Sequence, residues 1–191
     1  GIAARILLNK TDLPQAATAR ERLTAYRSMD VEVAEAALKA QPAAAKLTLA
    51  PLLAGRTTLV LGPSGTGKST LINLMVPQAD AQVGEISAAL NSGRHTTTST
   101  TWYWLDHTRR AALIDSPGFQ EFGLRHVQPQ ELPALMPDLR AFLSECRFYN
   151  CSHRKEPGCA VVAAVKRGEI SAARYRIYGE ILDELCRPPR W

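Results

Sequence analysis

A loop from residue 62 to residue 70 has the residue types and spacing that bind the phosphates of a nucleotide. It reads Gly-Pro-Ser-Gly-Thr-Gly-Lys-Ser-Thr and fits the pattern G-x-x-x-x-G-K-[ST]. Phosphates carry dense negative charge, so the loop must turn many backbone N–H groups toward them, and glycine allows that close approach. Lys68 is then expected to reach the β- and γ-phosphates, and the Ser69 hydroxyl to bind Mg²⁺. The alternative is a glycine-rich turn without a ligand.

A second motif, Asn9-Lys10-Thr11-Asp12, fits the pattern N-K-x-D by which many GTPases recognise guanine. The Asp12 carboxylate can accept hydrogen bonds from the ring N1–H and from the exocyclic amino group, whereas adenine offers no matching donors. Asn9 and the Lys10 stem would shape the base pocket. Asn and Asp also form ordinary loops after strands, so the tetrapeptide gains its weight from the phosphate loop in the same chain.

Two further stretches match the parts of a GTPase that complete the Mg²⁺ shell and contact the γ-phosphate. A threonine-rich run at residues 93–98 lies where GTPases place a switch loop. The sequence Asp115-Ser116-Pro117-Gly118 forms D-x-x-G, in which Asp115 would hold Mg²⁺ through a water and the Gly118 N–H would contact the γ-phosphate. Each signal is weak alone, because the run also fits a solvated loop and D-x-P-G is a common turn.

A separate cluster has the chemistry of a metal site. Cys146, Cys151, His153 and Cys159 follow the spacing C-x4-C-x-H-x5-C, and three thiolates with one imidazole match a closed tetrahedral zinc site. Because four protein ligands leave no open position, this zinc is expected to be structural. Clustered cysteines favour a metal over disulfides and predict a reducing, cytoplasmic compartment. The alternative is three unrelated cysteines and a surface histidine; Cys186 lies outside the cluster.

Alternating strand and helix patterns position the nucleotide motifs and predict an α/β domain. Strands are expected at residues 5–8, 31–33, 57–61, 101–105 and 111–114, and helices at residues 15–29, 42–53 and 68–76. Trp102 and Trp104 alternate with Tyr103, and the tryptophan pair is expected to face the core. Later prolines predict short helices, the clearest at residues 138–146, before helices at residues 160–167 and 171–186.

Composition bounds the class of protein. The 191 residues can form one full domain with a small satellite, and 46% of them are hydrophobic, which allows a sizeable core. No stretch approaches the ~20 apolar residues of a membrane span, so no membrane partner is expected. The chain is also expected to be a monomer. The net charge of +5 is compatible with a nucleic-acid partner but does not demand one. The sequence starts at Gly1, so a further N-terminal segment stays open.

The order of the motifs is unusual. An ordinary GTPase runs phosphate loop, switch threonine, D-x-x-G and N-K-x-D, whereas N-K-x-D comes first here. This order predicts a circularly permuted P-loop GTPase domain at residues 1–126, followed by a small helical zinc-binding domain at residues 127–191. It also predicts that the strand and helix between D-x-x-G and N-K-x-D belong before Arg5 and are missing from the sequence.

Together these motifs resemble those of the ribosome small-subunit-dependent GTPases, the RsgA family. The resemblance rests on the permuted N-K-x-D, the phosphate loop, the G-R-H-T-T-T run, D-S-P-G-F-x-E-F-G-L at residues 115–124 and the cysteine–histidine cluster. It implies an N-terminal OB-fold, a permuted G domain and a zinc-binding helical domain. It also implies an enzyme that binds the small ribosomal subunit and its rRNA late in maturation, and whose hydrolysis of GTP to GDP and phosphate the subunit stimulates. No OB-fold is expected in this sequence, and the guanine-contacting segment expected near residues 33–37 reads Val-Ala-Glu-Ala-Ala.

Carried over position by position, the resemblance implies the following nucleotide-binding residues: Asn9, Lys10, Thr11, Asp12, Gly62, Pro63, Ser64, Gly65, Thr66, Gly67, Lys68, Ser69, Thr70, Thr97, Asp115 and Gly118. Mg²⁺ would be bound by Ser69 and by one threonine of residues 96–98, of which Thr97 is the predicted ligand. Phe119 occupies the place where many GTPases carry a water-orienting glutamine, and an apolar side chain cannot orient water. The family suggests His95 as the catalytic residue.

Two other classes of function stay open from the sequence. One is a P-loop ATPase or small-molecule kinase, which would lack the guanine preference that Asp12 provides. The other is an RNA-binding scaffold that binds nucleotide without turnover. Basic residues at positions 166, 167, 174 and 176 fit either a solvated face or an RNA contact.

Overall fold

In a computed structural model, the chain divides into two compact units, Gly1–Phe122 and Gly123–Trp191. The structure describes residues 2–79, 81, 100–116, 124 and 126–187. The predicted domain boundary after residue 126 stays a prediction.

The strands of the first unit form two sheets. β1 (Arg5–Leu8) pairs in parallel with β2 (Glu32–Glu35), and α1 (Ala16–Arg27) provides the crossover that a parallel pair requires. The second sheet has the order β3–β5–β4, where β3 is Thr57–Val60, β4 is Thr101–Trp104 and β5 is Ala112–Asp115. β3 and β5 are parallel, while β4 and β5 are antiparallel.

Two helices complete the core of the first unit. α2 (Pro42–Leu53) has the bounds that the sequence predicted, and α3 (Lys68–Met75) begins within the last three residues of the phosphate loop. Leu49 and Leu53 of α2 pack with Ile72 of α3, which is fully buried. This packing fixes the start of α3 against the sheet and so positions the phosphate loop.

Residues near both ends of β1 contact the part of the chain that contains β3. Near the start of β1, Arg5 donates a hydrogen bond to the Leu52 carbonyl, just ahead of β3. After the end of β1, Asn9 donates to the Thr66 carbonyl, just beyond β3. A cavity of about 380 Å³ lies between the two strands and reaches the phosphate loop. No strand of the described residues lies between them, and the predicted placement of a further strand before Arg5 stays a prediction.

The predicted orientation of the tryptophans is wrong. Tyr103 lies opposite Leu113 and packs on the core, so its two neighbours point to the other face of the sheet. Trp102 and Trp104 are 47% and 39% exposed, and their rings meet edge-on with centroids 5.3 Å apart. Alternation fixed which residues share a face, but the register with β5 decided which face is buried.

The second unit is helical. Its helices are α4 (Leu132–Leu135), α5 (Pro137–Arg140), α6 (Ala160–Arg167) and α7 (Ala172–Leu185). They enclose a core that includes the fully buried Leu139 and Tyr178. Arg174 of α7 makes a two-point salt bridge to Asp138 of α5, with N–O distances of 2.9 and 3.0 Å, between side chains that are mostly buried. Among the described residues, no helix is long and apolar enough to cross a membrane.

The predicted helix at residues 138–146 is wrong as a single element. α5 ends at Arg140, and a short 3₁₀ turn follows at Leu143–Glu145. The amides of Phe142 and Glu145 bond to carbonyls three residues back, which tightens the chain and breaks the α-helical repeat. Cys146 then has extended backbone angles. This ending turns the chain toward the other cysteines.

Candidate nucleotide and metal sites

The phosphate loop joins the end of β3 to the start of α3. Gly67, which caps α3, has a φ of 103°, and Gly65 has a φ of 76°. Both values lie in the left-handed region that favours glycine, which explains why the loop has glycine at these two positions. The Thr66 hydroxyl donates to the Pro63 carbonyl at 2.8 Å and closes the loop. The first backbone N–H groups of α3 lack intrahelical acceptors and give this end of the loop a preference for anions.

The Lys68 side chain folds back over the loop. Its Nζ donates to the carbonyls of Gly62 at 2.8 Å and Pro63 at 3.0 Å. Burial lowers the pKa of Lys68, and attraction to the Asp115 carboxylate opposes that shift. The ammonium group thus lies against the phosphate loop, where the sequence predicts that the β- and γ-phosphates bind.

Asp115, at the end of β5, is a buried carboxylate with unused acceptor capacity. It is 2% exposed, and its Oδ1 has no hydrogen-bond partner in the part of the chain that the structure describes. Burial raises the pKa of Asp115, and Lys68 lowers it in turn. The carboxylate of Asp115 and the hydroxyl of Ser69 are oxygen ligands of the kind that Mg²⁺ prefers. These residues therefore fit a magnesium site beside the phosphate loop.

The N-K-x-D motif is attached directly to the phosphate loop. Asn9 donates from Nδ2 to the Thr66 carbonyl at 2.9 Å, and Lys10 donates from Nζ to the Gly65 carbonyl at 3.0 Å. The Asn9 Oδ1 accepts from the Leu38 amide at 3.1 Å. A Cβ on Gly67 would lie 2.3 Å from Asn9 Nδ2, so the close contact requires glycine. The base motif and the phosphate motif thus form one site.

The loop after β2 forms a wall beside the base motif. The Thr11 amide donates to the Ala36 carbonyl at 3.3 Å, and the Ala36 amide donates to the Leu8 carbonyl at 2.9 Å. Asp12 is exposed, with its carboxylate available to a ligand. The small side chains of residues 36 and 37 are buried, and Ala36 belongs to the hydrophobic core of the first unit. The contact between the Leu38 amide and Asn9 was not predicted from the sequence. The one sequence signal for it is that Leu38 follows β2, the strand that pairs in parallel with β1.

The predicted metal ligands come together in the second unit. The ligand atoms of Cys146, Cys151, His153 and Cys159 all lie within 4.8 Å of one another. His153 Nδ1 is 3.5 Å from the Cys146 sulfur and 3.6 Å from the Cys159 sulfur. A tetrahedral zinc with Zn–S of about 2.3 Å and Zn–N of about 2.05 Å would place sulfur and nitrogen about 3.6 Å apart. The residues therefore fit zinc, with Nδ1 as the histidine ligand, and Cys186 is not part of the cluster.

The surroundings of the cluster suit a metal more than free thiols. Burial, together with the neighbouring thiols, raises the pKa of Cys151 to about 12, so this thiol resists ionisation until a cation compensates the charge. Burial lowers the pKa of His153, which keeps the imidazole neutral as a ligand must be. None of the four cysteines is in a disulfide.

A family model described as RsgA GTPase matches residues 1–125. The chain belongs to the RsgA GTPase family. Curated relatives named small ribosomal subunit biogenesis GTPase RsgA include that of Variovorax paradoxus, 58% identical over 187 residues, which are 95% of this chain and 59% of the relative. The RsgA of Burkholderia mallei is 51% identical over 180 residues, 94% of this chain and 57% of the relative. The chain thus spans slightly under three-fifths of these relatives.

Two solved structures are similar to this RsgA-family chain. YloQ, described as a circularly permuted GTPase, superimposes with a TM-score of 0.71 at 30% identity, over 98% of this chain and 58% of YloQ. YjeQ from Thermotoga maritima superimposes with a TM-score of 0.74 at 27% identity, over 96% of this chain and 60% of YjeQ. The predicted α/β fold with a circularly permuted GTPase domain is confirmed.

Some predicted residues of the RsgA-family site lie outside the described residues. These are His95, Thr97 and Gly118, together with Phe119, and their assigned roles stay predictions. The structure brings the other predicted nucleotide residues to one region: the loops that follow β1 and β3, the start of α3, and the end of β5. β3 and β5 are parallel strands of one sheet that end at the same edge, and the hydrogen bonds of Asn9 and Lys10 attach the loop after β1 to this edge.

Proposed function

We propose that this chain is the nucleotide-binding and zinc-binding portion of a GTPase that acts on the small ribosomal subunit. The observation that carries the proposal is the pair of hydrogen bonds from Asn9 and Lys10 to the carbonyls of Thr66 and Gly65. A base-recognition motif bonded to a phosphate loop binds both ends of one nucleotide. A phosphate loop that served a kinase or an ATPase would not need this attachment.

Guanine selection is assigned to Asp12. Its exposed carboxylate follows the anchored Asn9–Lys10 pair and can accept from two donors on one edge of guanine. Adenine would leave the carboxylate facing an acceptor, and an unpaired charge in a binding pocket is costly. We therefore assign GTP and GDP, and not ATP, as the ligands.

Hydrolysis requires positioning and charge stabilisation more than covalent chemistry. Lys68 would exchange its bonds to loop carbonyls for bonds to the β- and γ-phosphates, and the backbone N–H groups of residues 62–70, apart from Pro63, would surround the phosphates. Ser69, Asp115 and Thr97 would hold Mg²⁺, which when bound neutralises the charge that develops on the transferred phosphoryl group. His95 is assigned to orient the attacking water, and Gly118 to contact the γ-phosphate.

Zinc is assigned a structural role in the second unit. Four protein ligands leave no position for a substrate, and the cluster joins the start of α6 to the segment after α5. The metal would therefore hold the fold of this unit and take no part in hydrolysis.

The small ribosomal subunit is the proposed partner. The relatives from Variovorax and Burkholderia are named for its biogenesis, and the net charge of +5 favours a partner rich in phosphate. We propose a monomer that works in the cytoplasm during late maturation of the subunit, with rRNA as the surface it binds.

Phosphate release measured with GTP and with ATP, with and without purified small subunits, tests the proposal. We expect GTP hydrolysis that small subunits accelerate, no comparable ATP hydrolysis, and loss of turnover in Lys68→Ala. Hydrolysis of ATP at the same rate would indicate an ATPase. Tight GTP binding without turnover in either condition would indicate a nucleotide-binding scaffold.

A further inference from the structure

We infer that Glu156, Tyr175 and Tyr178 are positioning residues that hold the His153 loop in its metal-binding shape and thereby set the zinc affinity. None of the three is a metal ligand. The inference rests on the proposed zinc site and assigns three side chains outside it.

The loop has a shape that needs external support. His153 has a φ of 55°, in the left-handed region, which is unfavourable for a residue that carries a Cβ. This conformation aims Nδ1 between the sulfurs of Cys146 and Cys159, at 3.5 and 3.6 Å. A relaxed backbone would turn the imidazole away from the cluster.

Glu156 binds the loop backbone on both sides of His153. One carboxylate oxygen accepts from the Ser152 amide at 2.8 Å and the Ser152 hydroxyl at 2.6 Å. The other accepts from the amides of Arg154 at 3.1 Å and Lys155 at 3.0 Å. The Ser152 hydroxyl and the amides of Ser152 and Lys155 hold the pKa of Glu156 well below its usual range, so the carboxylate stays charged. An ionised group that accepts from four donors fixes the loop as a bound anion would.

Two tyrosines of α7 hold the carbonyls of the same loop. The Tyr175 hydroxyl donates to the His153 carbonyl at 2.7 Å, and the Tyr178 hydroxyl donates to the Ser152 carbonyl at 2.7 Å. The residues are three apart on the helix, so their rings project from one face and stack with centroids 6.2 Å apart. Tyr178 is fully buried, which gives its hydroxyl a fixed position.

These hydrogen bonds support the backbone of the loop around His153, and the Tyr178 ring also lies beside the imidazole, with ring centroids 6.4 Å apart. A partner that orients a ligand typically changes metal affinity by about 10- to 100-fold when it is removed. Because the metal ligands themselves stay intact, the variants should bind the same metal with the same ligand set but more weakly. A residue needed only for the packing of the core would not show this pattern.

The experiment measures zinc affinity of the full chain by competition with a chromophoric chelator, and Co²⁺ absorption as a report of the ligand set. The test variants are Tyr175→Phe, Tyr178→Phe and Glu156→Gln, each of which keeps the shape of the side chain. Tyr149→Phe is the matched control, because Tyr149 is 102% exposed, and Glu169→Gln is the control for the carboxylate.

We expect each test variant to bind zinc about tenfold or more weakly than its control, with thiolate-to-cobalt bands of unchanged intensity at saturation. Equal zinc affinity in test and control variants would overturn the inference and leave the zinc site intact. Absence of metal binding in the unmodified chain would instead overturn the proposed zinc site, and the inference with it. Should Tyr178→Phe fail to fold, Tyr175→Phe decides, since its ring is only half-buried.

Discussion

Replacement of Gly67 by alanine tests the attachment of the base motif to the phosphate loop. The φ of 103° is unfavourable for any residue with a Cβ and costs about 2 kcal/mol. The new methyl group would lie 2.3 Å from Asn9 Nδ2, so Asn9 must move and break its bonds to Thr66 and Leu38. These bonds contribute about 1 kcal/mol each. The first unit should therefore lose about 3 to 4 kcal/mol, and GDP affinity should fall by about 100-fold or more.

Equilibrium titration with a fluorescent GDP and thermal unfolding of the same samples give the two readouts. Gly55→Ala is the matched control: its φ is 65°, and nothing lies within 4 Å of the added Cβ. This control should lose about 1 kcal/mol of stability and keep its GDP affinity. In an Asn9→Ala background, Gly67→Ala should cost less than in the unmodified chain, because the clash is gone. Equal effects of Gly67→Ala and Gly55→Ala on both readouts would refute the coupling.

Two other predictions concern zinc and catalysis. Elemental analysis should find one zinc per chain. Cys151→Ser should lose the zinc and unfold the region after about residue 129, while GDP binding persists. Cys186 is exposed, so Cys186→Ser should change neither the zinc content nor the fold of this region. His95→Ala should keep GTP affinity yet lose about 100-fold of subunit-stimulated turnover. His107→Ala is the control, because His107 is exposed, and it should keep its turnover. Single-turnover rates of His95→Ala within about threefold of the unmodified chain would remove His95 from the mechanism.

Local signals explain how much of the fold could be predicted. The bounds of α2 and α6 match the predictions, because Pro42 begins one helix and Gly168, with a φ of 78°, ends the other. The phosphate loop and the metal cluster were also predictable, since their residues lie close together in sequence and their types allow few other chemistries.

Contacts between distant residues explain what the sequence could not provide. The face occupied by Trp102 depended on the register between β4 and β5, which alternation does not fix. The bond from Tyr175 to the His153 carbonyl joins residues 22 positions apart, and no pattern in either segment predicts it. The attachment of Asn9 to Thr66 spans 57 positions and becomes apparent only once β1 and β3 are aligned.

Nucleotide selectivity tests the central claim most directly: that this chain binds a guanine nucleotide through Asp12 and the phosphate loop. Dissociation constants for GTP, ATP and xanthosine triphosphate should be compared in the unmodified chain, in Asp12→Asn and in Asp30→Asn, an exposed aspartate between α1 and β2. We expect GTP to bind at least about 100-fold more tightly than ATP, and Asp12→Asn alone to lose GTP and gain xanthosine triphosphate. Equal affinity for GTP and ATP, or GTP affinity unchanged in Asp12→Asn, would contradict the account.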